Sequence, residues 1–272
     1  MAEYNGKVIY NPSGKAGEYS YWAANFYVGC SNGCDYCYLK KGRGAKVLGG
    51  DIPTLKKTLH NPHAAMYIFE KEVKDNLEEL QKNGLFFSFT TDPLLSETAG
   101  LTIAAVEICQ FYRIPVKILT KCCGDGLTRL LTIADQKKWD KSIIAIGFTI
   151  TGHDEREKGA DTTAKRISMF PELKQQGYKT FASVEPVIDF DKAFSVVQLS
   201  LPWVDLYKIG LESGKQYKIR DTWDFITRIN VLFADEKPNA RLYLKDGILK
   251  NARWERKTLP GWCVERNYNL FI

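Results

Sequence analysis

Short β-rich runs alternate with helical stripes along most of this 272-residue chain, and that alternation restricts the fold more than any other feature. The candidate strands are residues 25–29, 85–91, 116–121, 143–151, 179–187 and 206–211. Between them the apolar spacing turns helical: Leu101, Ala104, Ala105, Ile108, Cys109 and Tyr112 recur at i, i+3, i+4 and i+7. Similar stripes run through Met66, Phe69, Val73, Leu77 and Leu80, and through Leu127, Leu130, Leu131 and Ala134. A helix over 163–176 is expected to break or restart at Pro171, which has no N–H to give. Another starts near Asp221 and carries Trp223, Ile226, Ile229 and Phe233, and a last β run, 240–245, is placed as an edge strand. Strands separated by helices pair in parallel. Six βα units therefore predict an α/β fold, a partial, open (β/α)6 barrel. No repeat or linker divides the sequence, so residues 1–272 are read as one domain with its core over about 20–250. Chemistry in such barrels collects where strands end and loops begin.

The first predicted strand runs straight into Cys30-Ser31-Asn32-Gly33-Cys34-Asp35-Tyr36-Cys37. Three thiolates so close together on a loop can hold three irons of a [4Fe–4S] cluster and leave the fourth iron without a protein ligand. Zinc asks for a fourth ligand with its own spacing, usually a second C-x2-C or a His pair. The other cysteines, Cys109, Cys122, Cys123 and Cys263, form no such pair. His60 and His63 are available, but no finger-like pattern links them to Cys37. Seven cysteines is an odd number and nothing marks the chain as secreted, which disfavours a disulfide framework.

There is no apolar leader at Met1–Lys7 and no run of 18 apolar residues, so a cytoplasmic protein with no membrane span is expected. The 38 basic and 32 acidic residues leave +6, which permits a phosphate-rich partner without requiring one. Much of the excess near the cysteines comes from Lys40, Lys41, Arg43, Lys46, Lys56 and Lys57. That run is either a solvated loop or one wall of a groove for a nucleic acid or nucleotide.

The C-x3-C-x2-C spacing with Tyr36 before the last cysteine resembles the cluster loop of the radical S-adenosylmethionine (radical SAM) enzymes. Residues 25–38, Thr90-Thr91-Asp92-Pro93 with Glu97, and Leu119-Thr120-Lys121 are similar to the spore photoproduct lyase-like group of that superfamily. Ser183-Val184-Glu185-Pro186 and Gly210-Leu211-Glu212-Ser213-Gly214 also resemble a phage-borne radical SAM family with no known substrate. The resemblance implies a [4Fe–4S] cluster on Cys30, Cys34 and Cys37, with SAM chelating the open iron and cleaved reductively to methionine and a 5′-deoxyadenosyl radical. It implies an electron donor such as flavodoxin or ferredoxin. By position, Thr91 and Asp92 match the site for the SAM amino group and Lys121 the partner of its carboxylate. Thr151 falls where a polar residue meets the ribose, and Tyr36 matches the aromatic beside the adenine. Glu185 is placed at SAM or substrate.

One departure is plain. The lyase group keeps a hydrogen-donating Cys two residues before the position of Thr91, and here that position is Phe89. The tyrosines that relay the radical lack clear counterparts in Gly152-His153-Asp154-Glu155. Cys122 and Cys123 directly follow Lys121 and are the remaining candidate hydrogen donors, or else small residues filling a turn. Cys109 belongs to a core stripe, and His153 is either a polar active-site group or a loop residue. The expectation is a radical SAM enzyme acting on a nucleic acid or nucleotide-type substrate. Its rivals are an enzyme for a peptide or small metabolite, and a non-catalytic Fe–S or zinc module that binds nucleic acid.

Overall fold

The computed structural model describes residues 3–42, 44–266 and 268–272. Its strands are β1 Ile9–Tyr10, β2 Ala23–Ala24, β3 Tyr27–Val28, β4 Thr54–Leu55, β5 Leu85–Phe87, β6 Val116–Thr120, β7 Ile144–Thr149, β8 Lys179–Val187, β9 Leu206–Leu211 and β10 Arg241–Leu244. The helices are α1 Ala45–Leu48, α2 Pro62–Asp75, α3 Leu77–Asn83, α4 Ala99–Phe111, α5 Asp125–Gln136, α6 Thr163–Gln175, α7 Phe190–Ser200, α8 Ile219–Glu236 and α9 Asp246–Ala252. One sheet has the order β1-β2-β5-β6-β7-β8-β9-β10. All its neighbours pair in parallel except β1 and β2. β1 and β10 end that order unpaired to each other, so the barrel is partial and open, as the alternation predicts. The β10 run is a full parallel strand and, with α9, adds a seventh βα unit.

The first barrel strand is not the expected 25–29. Ala23 and Ala24 pair with Phe86 and Phe87, while Tyr27 and Val28 leave the sheet and pair antiparallel with Leu55 and Thr54. Two alanines carry almost no β signal, whereas the aromatic run beside them carries much of it. The expected β5 and β7 runs also end early, at Phe87 and Thr149.

Two apolar layers form because strand side chains alternate between faces. Outside the barrel, Phe69, Phe87, Phe148, Phe170 and the helical stripes form the main core. Inside it, Tyr19, Phe86, Phe181, Leu206 and Tyr243 form a second cluster. Phe181 fits only because its neighbour on β7 is Gly147, where a Cβ would lie 2.5 Å from the ring. The stripe from Met66 to Leu80 is split into α2 and α3 at Asn76, whose side chain donates back to the Glu72 carbonyl at 2.8 Å. The helix over 163–175 instead runs unbroken through Pro171. Phe170 and Leu173, buried on either side of the proline, hold both halves to the sheet.

The segments outside the predicted core pack against the open side of the barrel. Glu18, in the turn Ala16–Glu18, accepts from Tyr243 Oη at 3.1 Å and the Asp246 N–H at 2.7 Å, and its carbonyl accepts from Lys208 Nζ at 2.6 Å. The tail covers the β10 edge, with the Leu242 N–H donating to Trp262 and the Val264 N–H donating to Leu242. No helix among the described residues is long and apolar enough to cross a membrane.

Candidate active site at the barrel mouth

Residues 29–41 cross the mouth as an irregular loop pinned on two sides. On one side stands Asp92, just past β5. Its carboxylate accepts from Asn32 Nδ2 at 2.8 Å, the Leu94 N–H at 3.1 Å, Thr120 Oγ1 at 2.7 Å and the Lys121 N–H at 2.8 Å. Two carboxylate oxygens offer about four acceptor sites. Asp92 is therefore saturated, tying the loop to the ends of β5 and β6.

On the other side stands the segment after β7. The Asp35 N–H donates to the Arg156 carbonyl at 3.1 Å and the Gly159 N–H donates to that of Asn32 at 2.9 Å. A Cβ at Gly159 would lie 2.3 Å from the Ser31 carbonyl oxygen, so only glycine allows this approach. Arg156 grips Asp35 through Nε at 2.8 Å and Nη2 at 2.7 Å, reaches Glu212 at 3.3 Å, and lies 5.5 Å from the Tyr36 ring centre. The Tyr36 hydroxyl donates to Glu157, which also pairs with Arg166, and both charged side chains of that pair are fully buried. Burial, then the Glu157 charge, holds the Tyr36 phenol far above its ordinary pKa.

A cavity of about 430 Å³ lies at this mouth, within the usual range for a small-molecule site. Cys30, Cys34, Tyr36 and Cys37 supply one wall, and Phe89, Leu119, Thr149, Ser183 and Glu185 supply others from the strand ends. Phe89 stacks on Phe86 at 4.4 Å and meets Tyr19 edge-on at 6.0 Å, so this wall is aromatic. Among the described residues no three His, Cys, Asp or Glu side chains converge on one metal position. Zinc–sulfur bonds of about 2.3 Å require such convergence. Thiolates on separate irons of a cubane do not. His60 and His63 are exposed and line no part of the cavity. Burial, with the Asp92 charge adding, pushes the Cys30 thiol up to about 11 while Lys121 pulls it down.

Thr91 and Lys121 each bring an unused polar group to this cavity. Thr91 Oγ1 is buried with no hydrogen-bond partner. Lys121 has no carboxylate within ion-pair distance among the described residues, and its ammonium lies 5.6 Å from the Tyr36 ring centre. Burial lowers its proton affinity, but Cys34 and Glu157 outweigh that and the net shift is upward. It stays charged. The donor set of three thiols, one unpaired ammonium and one orphaned hydroxyl fits a cluster with an amino-acid-bearing ligand.

Glu185 also lines the cavity, but it is already compensated. It accepts from Lys245 Nζ at 2.7 and 2.9 Å and from Tyr19 Oη at 2.7 Å, and that phenol lies 2.6 Å from Ser183 Oγ. Thr151 lies off the cavity wall, where Thr149 takes its place. Its hydroxyl instead donates to Glu157 and accepts the His153 N–H, both at 3.2 Å, because the chain has left the strand. Cys122 and Cys123 also lie off the wall. Their N–H groups are fixed by Thr120 Oγ1 and Asp161, turning the Cys122 thiol to Asn32 Oδ1 at 3.6 Å while Cys123 packs in the core. His153 is buried, with Nδ1 2.7 Å from Glu155, and is likewise outside the cavity lining. Sequence reading missed Asn32, Glu212, Tyr19 and Lys245. Asn32 and Glu212 had local signals, their places in Cys30–Cys37 and Gly210–Gly214, and Lys245 ends the 240–245 run; Tyr19 had none.

The basic loop is partly spent. Lys40 pairs with Asp51, Lys41 lies 3.6 Å from Glu212, and Lys56 donates to the Lys7 carbonyl at 2.6 Å. Lys46 and Lys57 remain exposed, and Arg43 lies outside the described residues.

The partial barrel superposes on spore photoproduct lyase complexed with dinucleoside spore photoproduct, with a TM-score of 0.61 and 14% identity over 86% of this chain and 79% of that one. The two share a fold. SuiB from Streptococcus suis, alone and bound to S-adenosylmethionine, aligns with 67% of this chain at TM-scores of 0.49 and identities of 11% and 12%. The chain spans less than half of SuiB, 44% and 43%. No family model matches the sequence, and no curated protein does. In this lyase-like barrel the loop that carries the three cysteines lies across the mouth, where the fold gathers its strand ends.

Proposed function

We propose that residues 1–272 form one radical SAM domain and that this protein is a radical SAM enzyme. The observation that carries the reading is the convergence on one cavity of the Cys30, Cys34 and Cys37 thiols, the unpaired Lys121 ammonium and the orphaned Thr91 hydroxyl. Cys30, Cys34 and Cys37 hold a [4Fe–4S] cluster. Lys121 pairs with the carboxylate of SAM, and Thr91 takes up its amino group. Asp92, with its acceptor sites filled, positions rather than binds: it fixes Asn32 and the Lys121 backbone. Tyr36, oriented by Glu157, offers its ring to the adenine, and Thr149 takes the ribose-facing place expected of Thr151. Bound there, the cluster would supply the electron for reductive cleavage of SAM to methionine and a 5′-deoxyadenosyl radical. The aromatic wall of Phe89, Phe86 and Tyr19 excludes water from the space next to it.

The substrate we favour is a nucleotide-type molecule, supported by the likeness to a lyase complexed with a dinucleoside lesion. Repair by that enzyme's route is not proposed, because Phe89 carries no S–H and neither Cys122 nor Cys123 reaches the cavity wall. A flavodoxin or ferredoxin is proposed as electron donor.

Anaerobic reconstitution tests the reading. Wild-type protein is expected to take up about four irons and four sulfides, to change its reduced EPR signal with SAM, and to release 5′-deoxyadenosine with dithionite. Replacing Cys30, Cys34 and Cys37 together by Ala should remove all three. Undiminished 5′-deoxyadenosine from that variant, or tight zinc in place of iron, refutes the proposal.

A further inference from the structure

A second, polar chamber of about 170 Å³ adjoins the main cavity and shares with it Lys15, Glu185, Leu211, Glu212 and Lys245. It is too small for a whole ligand and large enough for one polar group of several heavy atoms. Three lysines and three glutamates line it, but they do not pair one to one. Glu18 and Glu185 lie 3.4 and 2.7 Å from Lys245, and Glu212 lies 3.3 Å from Arg156 and 3.6 Å from Lys41. All three carboxylates are thus answered. The ammonium groups of Lys15 and Lys215 have no carboxylate within ion-pair distance among the described residues, and Lys15 Nζ donates only to Ser213 Oγ at 2.9 Å.

The sequence keeps the chamber open. A Cβ at Gly210 would press to 2.8 Å against both Glu185 and Lys245, breaking the wall between the two spaces. Gly214 and Gly247 also line the chamber with no side chain, and nothing stands within 4 Å of where theirs would be. Asn251, on the far wall, donates Nδ2 to the Tyr217 carbonyl at 3.2 Å while its Oδ1 is buried without a partner. An open space with two ammonium groups free of carboxylate partners suits a phosphate monoester.

We infer that this chamber is the subsite for a phosphate monoester of the substrate, with Lys15 and Lys215 as its anion-binding residues. The inference deepens the reading of a nucleotide-type substrate and rests on it. The phosphate belongs either to a nucleoside monophosphate or to a simple sugar phosphate. In both cases it sits beside Glu185 and Lys245, leaving the organic part in the main cavity.

Calorimetry on the full chain tests this with thymidine, thymidine 5′-monophosphate and ribose 5-phosphate as probes. Wild-type protein should bind at least one of the two phosphates about tenfold or more tighter than thymidine, the difference expected of charge-assisted contacts. Tighter binding of the thymidine phosphate than of ribose 5-phosphate assigns the site to a nucleotide; the reverse assigns it to a sugar phosphate. Lys15→Met with Lys215→Met should erase the preference, and both positions are exposed, so the fold should survive. Gly247→Leu, which puts a side chain on the chamber wall and keeps all three lysines, should erase it too. A phosphate preference that survives both variants, or no phosphate binding at all, overturns the inference. Release of 5′-deoxyadenosine by the wild-type protein is scored separately, so failure of the radical SAM reading is distinguishable from failure of the subsite.

Discussion

Thr91 and Lys121 are one polar atom and one charge that the protein leaves unanswered. A buried hydroxyl without a partner costs about 1–3 kcal/mol, so Thr91→Val should leave thermal stability without SAM unchanged or raised. The same variant should weaken SAM binding in calorimetry. A structural hydroxyl would show the opposite, lost stability with SAM affinity intact. For Lys121→Ala, loss of a charge-assisted contact worth roughly 1.5–3 kcal/mol predicts a tenfold to hundredfold weaker SAM complex. Iron content should not change, and unaltered SAM affinity would remove Lys121 from the site. Asp92 differs from both, since its four accepted bonds make it the brace of the mouth.

Glu72 shows how one side chain sets an element. Lying on α2, it accepts the N–H groups of Lys7, Val8 and Ile9 at 2.6, 3.0 and 2.7 Å, which pins the N-terminal strand against the helix. Glu72→Ala would leave those donors unanswered next to the core, and a loss of about 2–4 kcal/mol in urea unfolding is expected. Hydrogen exchange at the Val8 and Ile9 amides should rise with it. A change under about 0.5 kcal/mol, the size of an ordinary surface substitution, would show that water replaces the carboxylate. The cysteine loop is held in the same manner, by Asp92 on one flank and Arg156 on the other, which add to its own turn hydrogen bonds at Cys37, Lys40 and Lys41.

Across the whole molecule, the barrel interior carries buried lysines as well as aromatics. Lys117 lies two residues before Leu119 on β6 and so faces inward, and burial pushes its pKa down to about 8 from an ordinary 10.5. Lys208, also buried, is lowered by burial and then by the charges of Lys117 and Lys245, despite Glu18. Because the folded pKa of Lys117 is the lower one, its penalty on stability is full below pH 8, shrinks between pH 8 and 10.5, and vanishes above. Lys117→Met should therefore stabilise the protein by up to about 3 kcal/mol at pH 7. That gain should fade as the pH approaches 10.5, and denaturant melts at pH 7, 9 and 10.5 measure it. A gain independent of pH would mean that better packing, not charge, is responsible.

The sequence by itself determined the βα alternation, the parallel sheet and the loop of three cysteines at a strand end. These follow from side-chain periodicity and local spacing, which a linear reading contains. It misplaced the first strand, because the Ala23–Ala24 pair has no propensity signal and gains its place from Ile9 and Tyr10 on one side and Phe86 and Phe87 on the other. It placed Cys122, Cys123 and Thr151 at the mouth on strand-end position alone. Which way such residues turn is decided by the hydrogen bonds they donate to Thr120, Asp161 and Glu157. Tertiary structure alone revealed the Tyr19–Glu185–Lys245 group and the polar chamber beside it. Their members are up to 236 residues apart, Lys15 to Asn251, and meet because the N-terminal segment folds back into the open side of the barrel.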